Sequence, residues 1–398
     1  MSAANLTRPI FSTPAIVAKR GALRIQRGHP WVFKSDMDTR PDVPAGVAPV
    51  LGVDGAPLGW ALWSPLSEIS LRMIERDATL RIDDTWWFSK LKEAVARRDR
   101  LAIDNTAYRL IHGEGDGLPS LVVDRYGDYL VVQLLSAGMA AWQDVIIAAL
   151  QELTGCLGIV ARHDVAARER EGLSRQIELL FGEVPHTVEV HEHGVRFLAA
   201  PWDGQKTGAF LDQRDNRVLV GTQARGRALD CFAYHGSFAL HMAPRADEVI
   251  ALDSSKAALA RASENVRLNG FTNVQTHEGD AFGVMRDWHR AGQRFDTIVV
   301  DPPAFAKTRA ALPAALRGYK DINLQGMKLL SENGLMFSAS CSHHLSKAMF
   351  LEMLQDAATD SGRRFVLEAM TGQGVDHPEI LTIPETGYLK GALLRAQD

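Results

Sequence analysis

Residues 295–305 read FDTIVVDPPAF. The first six are nearly continuous in apolar and β-branched side chains, the pattern of a strand covered on both faces. Asp301 closes the run, and Pro302 and Pro303 end it because proline has no N–H to give to a ladder. Strands covered on both faces belong to parallel sheets with helices on either side. The neighbouring sequence agrees: ALDCF (228–232), VIALD (249–253) and LMFSASCS (335–342) read as strands. Between them run helical patterns, SKAALARASENVRLNG (255–270), 314–331 and 345–362, the first stopped by Asn269-Gly270. FVLEAM (365–370) and YLKGALLRA (388–396) read as the closing strands.

Upstream the texture differs. Residues 1–75 hold short alternating runs, such as GWALW and ISLRMI, punctuated by Gly and Pro, and predict a small β-rich domain. Residues 76–185 begin with a helical run at 85–102. Three strands follow within 109–135, then a helix at 140–155 and a strand at 158–164, an α+β domain. A hairpin-like stretch at 187–200 opens the α/β domain of residues 186–398.

Composition bounds the possible functions. The chain has 398 residues, 46% hydrophobic and 23% charged, enough for two or three packed domains and incompatible with disorder as the main state. Forty-four Lys and Arg against 48 Asp and Glu leave a net charge of −4, which excludes indiscriminate coating of nucleic acid. Three cysteines without a C-x-x-C exclude zinc-ribbon and dithiol chemistry and suit a reducing compartment. No apolar core marks residues 1–20 as a secretory signal. The longest apolar stretch, 129–150, is interrupted by Gln133, Ser136, Gln143 and Asp144 and does not read as a membrane span. A cytoplasmic protein is expected. His191 and His193 share a strand face with no third ligand nearby, so no metal is expected.

Open parallel sheets bind ligands beyond the carboxyl ends of their strands, where the polar residues of this region gather. Asp230, Tyr234 and Gly236 follow the first strand, and Asp253 ends the second, 17 residues after Gly236. Asp280, Asp301 and Cys341 follow the next three. A carboxylate ending the second strand can accept both ribose hydroxyls of a nucleoside. The loop Asp230-Cys231-Phe232-Ala233-Tyr234-His235-Gly236-Ser237 has one glycine, whereas a pyrophosphate needs G-x-G-x-x-G. It suits S-adenosylmethionine, which has no diphosphate. The candidate cofactor set is Gln213, Asp230, Phe232, Tyr234, Gly236, Asp253, Ser254, Asp280 and Ala281.

Asp301-Pro302-Pro303-Ala304-Phe305 is more specific. Two prolines stiffen the loop and leave its carbonyls free, so an acid, carbonyls and an aromatic ring can hold a planar base. It resembles the D/N-P-P-x motif of methyltransferases acting on planar amines and nucleobases. Cys341 leaves the adjacent strand on the same edge. C5 of cytosine is a weak nucleophile, and a thiolate adding to C6 makes C5 enamine-like. Asp301 would bind the N3/N4 edge and protonate N3.

Together the motifs resemble the ribosomal RNA large-subunit methyltransferase I family over essentially the whole chain. They are Lys19-Arg20-Gly21 with His29-Pro30-Trp31-Val32-Phe33, residues 59–72, Asp116-Gly117-Leu118-Pro119 and VDRYGD (123–128), KTGAFLDQR (206–214), DCFAYHGSF, DPPAFAK, SCSHH and GYLKG. The resemblance implies a PUA domain at 1–75 and a class I, Rossmann-like, seven-stranded methyltransferase fold at the C-terminus. It implies S-adenosylmethionine, a cytosine of 23S ribosomal RNA as target, Cys341 as nucleophile and Asp301 at the base. It also implies Asp253 at the ribose, Asp280 near the adenine, and a homodimer. The chain departs at His235-Gly236-Ser237-Phe238, where members commonly have T-G-G-F. It has Ala304 where other RNA 5-methylcytosine enzymes carry a second cysteine, which leaves the C5 base unassigned. An exocyclic-amine or uracil-C5 methyltransferase, or a non-catalytic RNA-binding protein, are the competing readings.

Two stretches suit RNA. Residues 16–35 hold Lys19, Arg20, Arg24, Arg27 and Lys34 with Trp31 and Phe33, and no acid. Residues 302–320 hold Lys307, Arg309, Arg317 and Lys320, again with no acid. Residues 1–75 carry 8 basic and 6 acidic side chains. C5 is reachable only in an unstacked cytosine, so a single-stranded or flipped target is expected.

Overall fold

The structure, a computed structural model, describes residues 8–101, 104–306 and 308–397. The chain gathers into two compact units. Of the described residues, one comprises those within 8–190, 199–211 and 375–386, and the other those within 191–198, 212–374 and 387–397. The two N-terminal regions expected from sequence thus fall in one unit.

That first unit contains two sheets. The six-stranded one runs Trp31–Phe33, Ile69–Glu75, Pro57–Trp63, Gly46–Gly52, Ala15–Val17, Met37–Thr39 in spatial order. Its core is Val17, Ile25, Val32, Ala48, Ala61, Trp63 and Leu71. The five-stranded one runs Ile177–Gly182, Gly158–Arg162, Tyr129–Leu134, Leu121–Tyr126, Ala107–His112. Helices Asp84–Asp99, N-capped by Asp83, and Gln143–Thr154 cover it through Trp86, Trp87 and Trp142. The helix Lys19–Gln26 is absent from the sequence reading: it has no side-chain cap and carries Gly21 in its first turn. Packing requires that glycine, since a Cβ there would lie 2.4 Å from Val17 Cγ1.

Two of the quoted motifs are framework here. Asp116 binds the buried Arg98 through both oxygens, at 2.9 and 2.6 Å. Asp124 binds Arg109 and the Thr207 hydroxyl, and Tyr126 reaches the same hydroxyl at 3.1 Å. VDRYGD and KTG are thereby joined by one buried charge-assisted hydrogen bond, the strong kind, and a neutral one beside it.

The second unit is the α/β one. Its strands are β1 (Arg227–Cys231), β2 (Glu248–Asp253), β3 (Val274–Glu278), β4 (Phe295–Val300), β5 (Leu330–Ser340), β6 (Arg364–Thr371) and β7 (Lys390–Gln397), in the order 3-2-1-4-5-7-6. β1 to β5 are parallel neighbours, and β7 is antiparallel to both β5 and β6. Helices are α1 (Arg214–Gln223), α2 (Ser237–Met242), α3 (Lys256–Leu268), α4 (Ala281–Arg290), α5 (Leu312–Leu329) and α6 (Lys347–Ser361). Leu229, Cys231, Ile298 and Val300 face a core shared with α4, α5 and α6. Ala228, Val249, Val299 and Phe337 face one shared with α1 and α2. The double burial inferred from 295–300 therefore has two distinct coats of helices.

α1 is also missing from the sequence reading, because its buried face is polar. Arg217 holds the buried Glu192 with two bonds of 2.6 Å, and His241 of α2 lies 2.9 Å from the same carboxylate. No apolar stripe announces such a helix. Among the described residues no helix is long and apolar enough to cross a membrane.

Candidate active site

The carboxyl ends of β1 to β5 carry the candidate residues. After β1 the chain turns through Phe232 (φ 63°), Tyr234 (φ 50°) and Gly236 (φ 78°). Left-handed conformations at two non-glycine residues store strain, about 1–3 kcal/mol each. Tertiary bonds hold them there: Tyr234 N–H donates to Asp253 Oδ2 at 2.8 Å and Ala233 N–H to the Leu252 carbonyl at 3.0 Å. Ser255 N–H donates to Asp253 Oδ1 at 2.8 Å. A Cβ on Gly236 would sit 3.1 Å from Ala262, so the turn approaches α3 as closely as it can.

Asp253 is half-buried, and each oxygen keeps a lone pair for a ribose hydroxyl. Ser254 beside it is exposed. Asp280 caps α4 through Gly283 N–H at 2.9 Å and is exposed, with buried Ala281 behind it. Gln213 is buried, and its side-chain oxygen takes the Asn216 amide at 2.6 Å. The fit to a nucleoside cofactor is good: a free-edged carboxylate, a close backbone turn and a capped helix share one sheet edge.

Asp230 lies beneath them, 1% exposed, accepting Ala239 N–H at 2.9 Å. Burial, reinforced by the charges of Asp301 and Asp253, pushes its carboxyl up to about 8, against the Ala239 hydrogen bond. At neutral pH it therefore keeps its proton.

Asp301 and Cys341 are both half-buried, at the ends of paired strands in which Val300 stands opposite Ser338. The other thiols differ. Cys231 is fully buried and burial pushes it well above the ordinary value, while burial also raises Cys156. Pro302 is buried and Pro303 exposed. Two residues that sequence reasoning did not single out join the loops. The Tyr319 hydroxyl of α5 lies 2.8 Å from Ser342 Oγ and accepts Phe305 N–H at 3.2 Å. Ser342 Oγ accepts Ala306 N–H at 3.2 Å. Tyr319 sits at an ordinary core spacing of its helix, so nothing local marks it. The Phe305 ring packs on Tyr319, 4.6 Å between centroids, and lies 6.2 Å from Phe282. Its contacts are thus within the domain, where the sequence reading expected a face for the base.

The basic stretches are partly spoken for. Arg20 and Arg24 both pair with buried Asp36, one residue beyond the acid-free window. Trp31 donates Nε1–H to Glu114 at 2.8 Å, between the rings of His29 and Phe33. Lys19 and Arg309 are exposed. Lys320 pairs with Asp360 at 2.8 Å, and Lys307 lies outside the described residues.

Comparison with known proteins agrees with this fold. Residues 108–352 match the family model of an S-adenosylmethionine-dependent methyltransferase, and residues 15–76 that of a PUA-like domain. The chain is 39% identical to the ribosomal RNA large subunit methyltransferase I of Tolumonas auensis over 97% of its length and 100% of the relative's. It is 39% identical to that of Erwinia tasmaniensis, covering 96% of this chain and 98% of the relative. A solved chain from Streptococcus mutans described as a SAM-dependent methyltransferase superposes with TM-score 0.80 at 22% identity, covering 96% and 99% of the two chains. A methyltransferase complexed with SAH superposes with TM-score 0.81 at 21% identity, over 96% of this chain and 99% of that one. The structural likenesses show the fold. With near-complete coverage at 39% identity beside them, the chain belongs to the ribosomal RNA large subunit methyltransferase I family of S-adenosylmethionine-dependent methyltransferases.

Proposed function

We propose that this protein methylates C5 of a cytosine in 23S ribosomal RNA through a covalent Cys341–C6 adduct. The observation that carries the reading is the half-buried thiol of Cys341 at the end of β5, next to Asp301 at the end of β4, with one hydroxyl pair tying their loops together. S-adenosylmethionine, when bound, supplies the methyl group that C5 takes up.

This chain's residues do the rest. Asp253 receives the ribose, Asp280 lies toward the adenine, and the Phe232–Gly236 turn together with Gln213 and Ala281 shapes the floor. Asp301 and the carbonyls of Pro302 and Pro303 hold the base edge. The Cys341 thiolate forms a C–S bond to C6 while Asp301 gives a proton to N3. The C5 proton then leaves to solvent as the C6–S bond breaks and the thiolate departs, and N3 returns its proton to Asp301, which restores the neutral aromatic ring. Arg309 and Lys19, both exposed, are suited to phosphate contact.

Bisulfite sequencing of ribosomal RNA from a deletion strain tests the proposal. One cytosine should change from protected to convertible and be protected again on complementation, but not by Cys341→Ala. No change at any cytosine refutes the reading. Methylation surviving in Cys341→Ala favours an exocyclic-amine reaction that needs no thiol.

A further inference from the structure

Lys390 opens β7 directly across from Ser340, the last residue of β5. Its side chain is 2% exposed and passes the cysteine loop, where Nζ donates to the Ser342 carbonyl at 2.7 Å and the Tyr388 carbonyl at 2.8 Å. Among the described residues no carboxylate pairs with it. That is unusual, because a buried ammonium without an anion costs several kcal/mol or loses its proton. Burial draws Lys390 down to about 8; Cys341 opposes that fall, and Lys347, at the start of α6, adds to it. The other polar groups nearby have partners: Tyr388 O–H donates to Asp212 at 2.8 Å, and its ring lies 5.4 Å from His343.

We infer that Lys390 is the positioning residue for Cys341, its buried ammonium holding the sulfur as a thiolate while its two carbonyl bonds clamp the loop. The inference rests on Cys341 being the nucleophile. An ammonium has three donors, and two are committed to carbonyls, so the third has a fixed direction. The charge serves both halves of the covalent cycle. Before attack it favours ionised sulfur, with the thiol proton leaving to solvent. As the C–S bond forms, the negative charge passes to the ring and is neutralised at N3. When the C6–S bond breaks, the electron pair returns to sulfur beside the same cation. A lower thiol pKa makes a better leaving group, which matters here because Ala304 stands where a second cysteine would assist release. The GYLKG segment containing Lys390 stands out in the sequence, yet its role becomes visible only when β7 is placed beside β5.

The test is the pH dependence of iodoacetamide alkylation of the full chain, resolved by peptide mass spectrometry, with buried Cys156 and Cys231 as internal controls. Wild-type Cys341 should titrate below the ordinary thiol value of about 8.5. Lys390→Met should move that inflection up by about one unit, a roughly tenfold loss of thiolate at pH 7, and Lys390→Arg should restore most of it. A Lys390→Met inflection at the wild-type position overturns the inference. So does a wild-type inflection at or above the ordinary value, a result that needs no variant to fold. Alkylation requires neither RNA nor methyl donor. A shifted titration with methylation surviving in Cys341→Ala therefore sinks the covalent reaction alone, and an unshifted one with methylation lost in Cys341→Ala sinks Lys390 alone.

Discussion

Replacing Tyr319 with Phe removes one oxygen from a residue that is fully buried and leaves its ring in place. That oxygen is the only change, so the two bonds it makes are what the variant measures. It accepts Phe305 N–H at 3.2 Å and meets Ser342 Oγ at 2.8 Å, linking the loop after β4 to the loop after β5. Ser342 Oγ keeps Ala306 N–H, but Phe305 N–H loses its acceptor. A net hydrogen bond is worth about 0.5–1.5 kcal/mol and a buried unpaired donor costs about 1–3 kcal/mol, so the loops lose roughly 1–3 kcal/mol of mutual positioning. If most of that is spent on the reacting geometry, kcat for methyl transfer falls about 10- to 100-fold. The β1 to β3 edge is untouched, so affinity for S-adenosylmethionine should stay within about twofold. Radiolabelled methyl transfer to RNA measures the first and calorimetry the second. Ser342→Ala should show a similar loss, and the double variant much less than the product of the two, because the residues share one bond. Wild-type kcat in a folded Tyr319→Phe protein refutes the reasoning, as does a fall in cofactor affinity matching the fall in kcat.

Glu192→Gln should destabilise the protein by about 3–5 kcal/mol in guanidinium unfolding, because it leaves Arg217 buried without its carboxylate; a loss under about 1 kcal/mol would contradict the account. Asp253→Ala should weaken S-adenosylmethionine binding at least about tenfold by calorimetry, since charged hydrogen bonds are worth about 1.5–3 kcal/mol, and unchanged binding would remove Asp253 from the ribose. Asp230→Asn probes a carboxyl whose pKa burial has raised to about 8. Its contribution to stability is fully present below the unfolded value of about 4 and is lost as pH rises through 8. Thermal melts should therefore show wild type losing stability relative to Asp230→Asn between pH 6 and 8.5, and parallel curves would show an ionised Asp230.

The α/β layering was legible because double burial writes itself locally: the nearly continuous apolar and β-branched run at 295–300 needs no partner to be recognised, and two cores indeed cover it. That Asp253, Asp280, Asp301 and Cys341 lie at or just beyond strand ends was legible for a related reason, since a strand's end is visible in the chain. α1 was not, because Arg217 and Glu192 supply a polar interior that exists only as a pair from distant segments. Arg24 looked available for RNA until Asp36 folded back onto it across the start of the small domain. Phe305 looked like a platform for a base, and only the packing of α5 shows its ring against Tyr319.

By itself the sequence determined which chemical groups this protein has and along which strands they lie: apolar periodicity and proline act over a few residues. Tertiary structure alone decided which groups meet. Tyr319 reaches the loop of Cys341 across 23 positions of sequence and Lys390 across 48 to Ser342, and only strand order and register bring them there. Whether a cysteine is a buried hydrophobe or a nucleophile depends on the charge and solvent around its sulfur, and those are properties of the packed site.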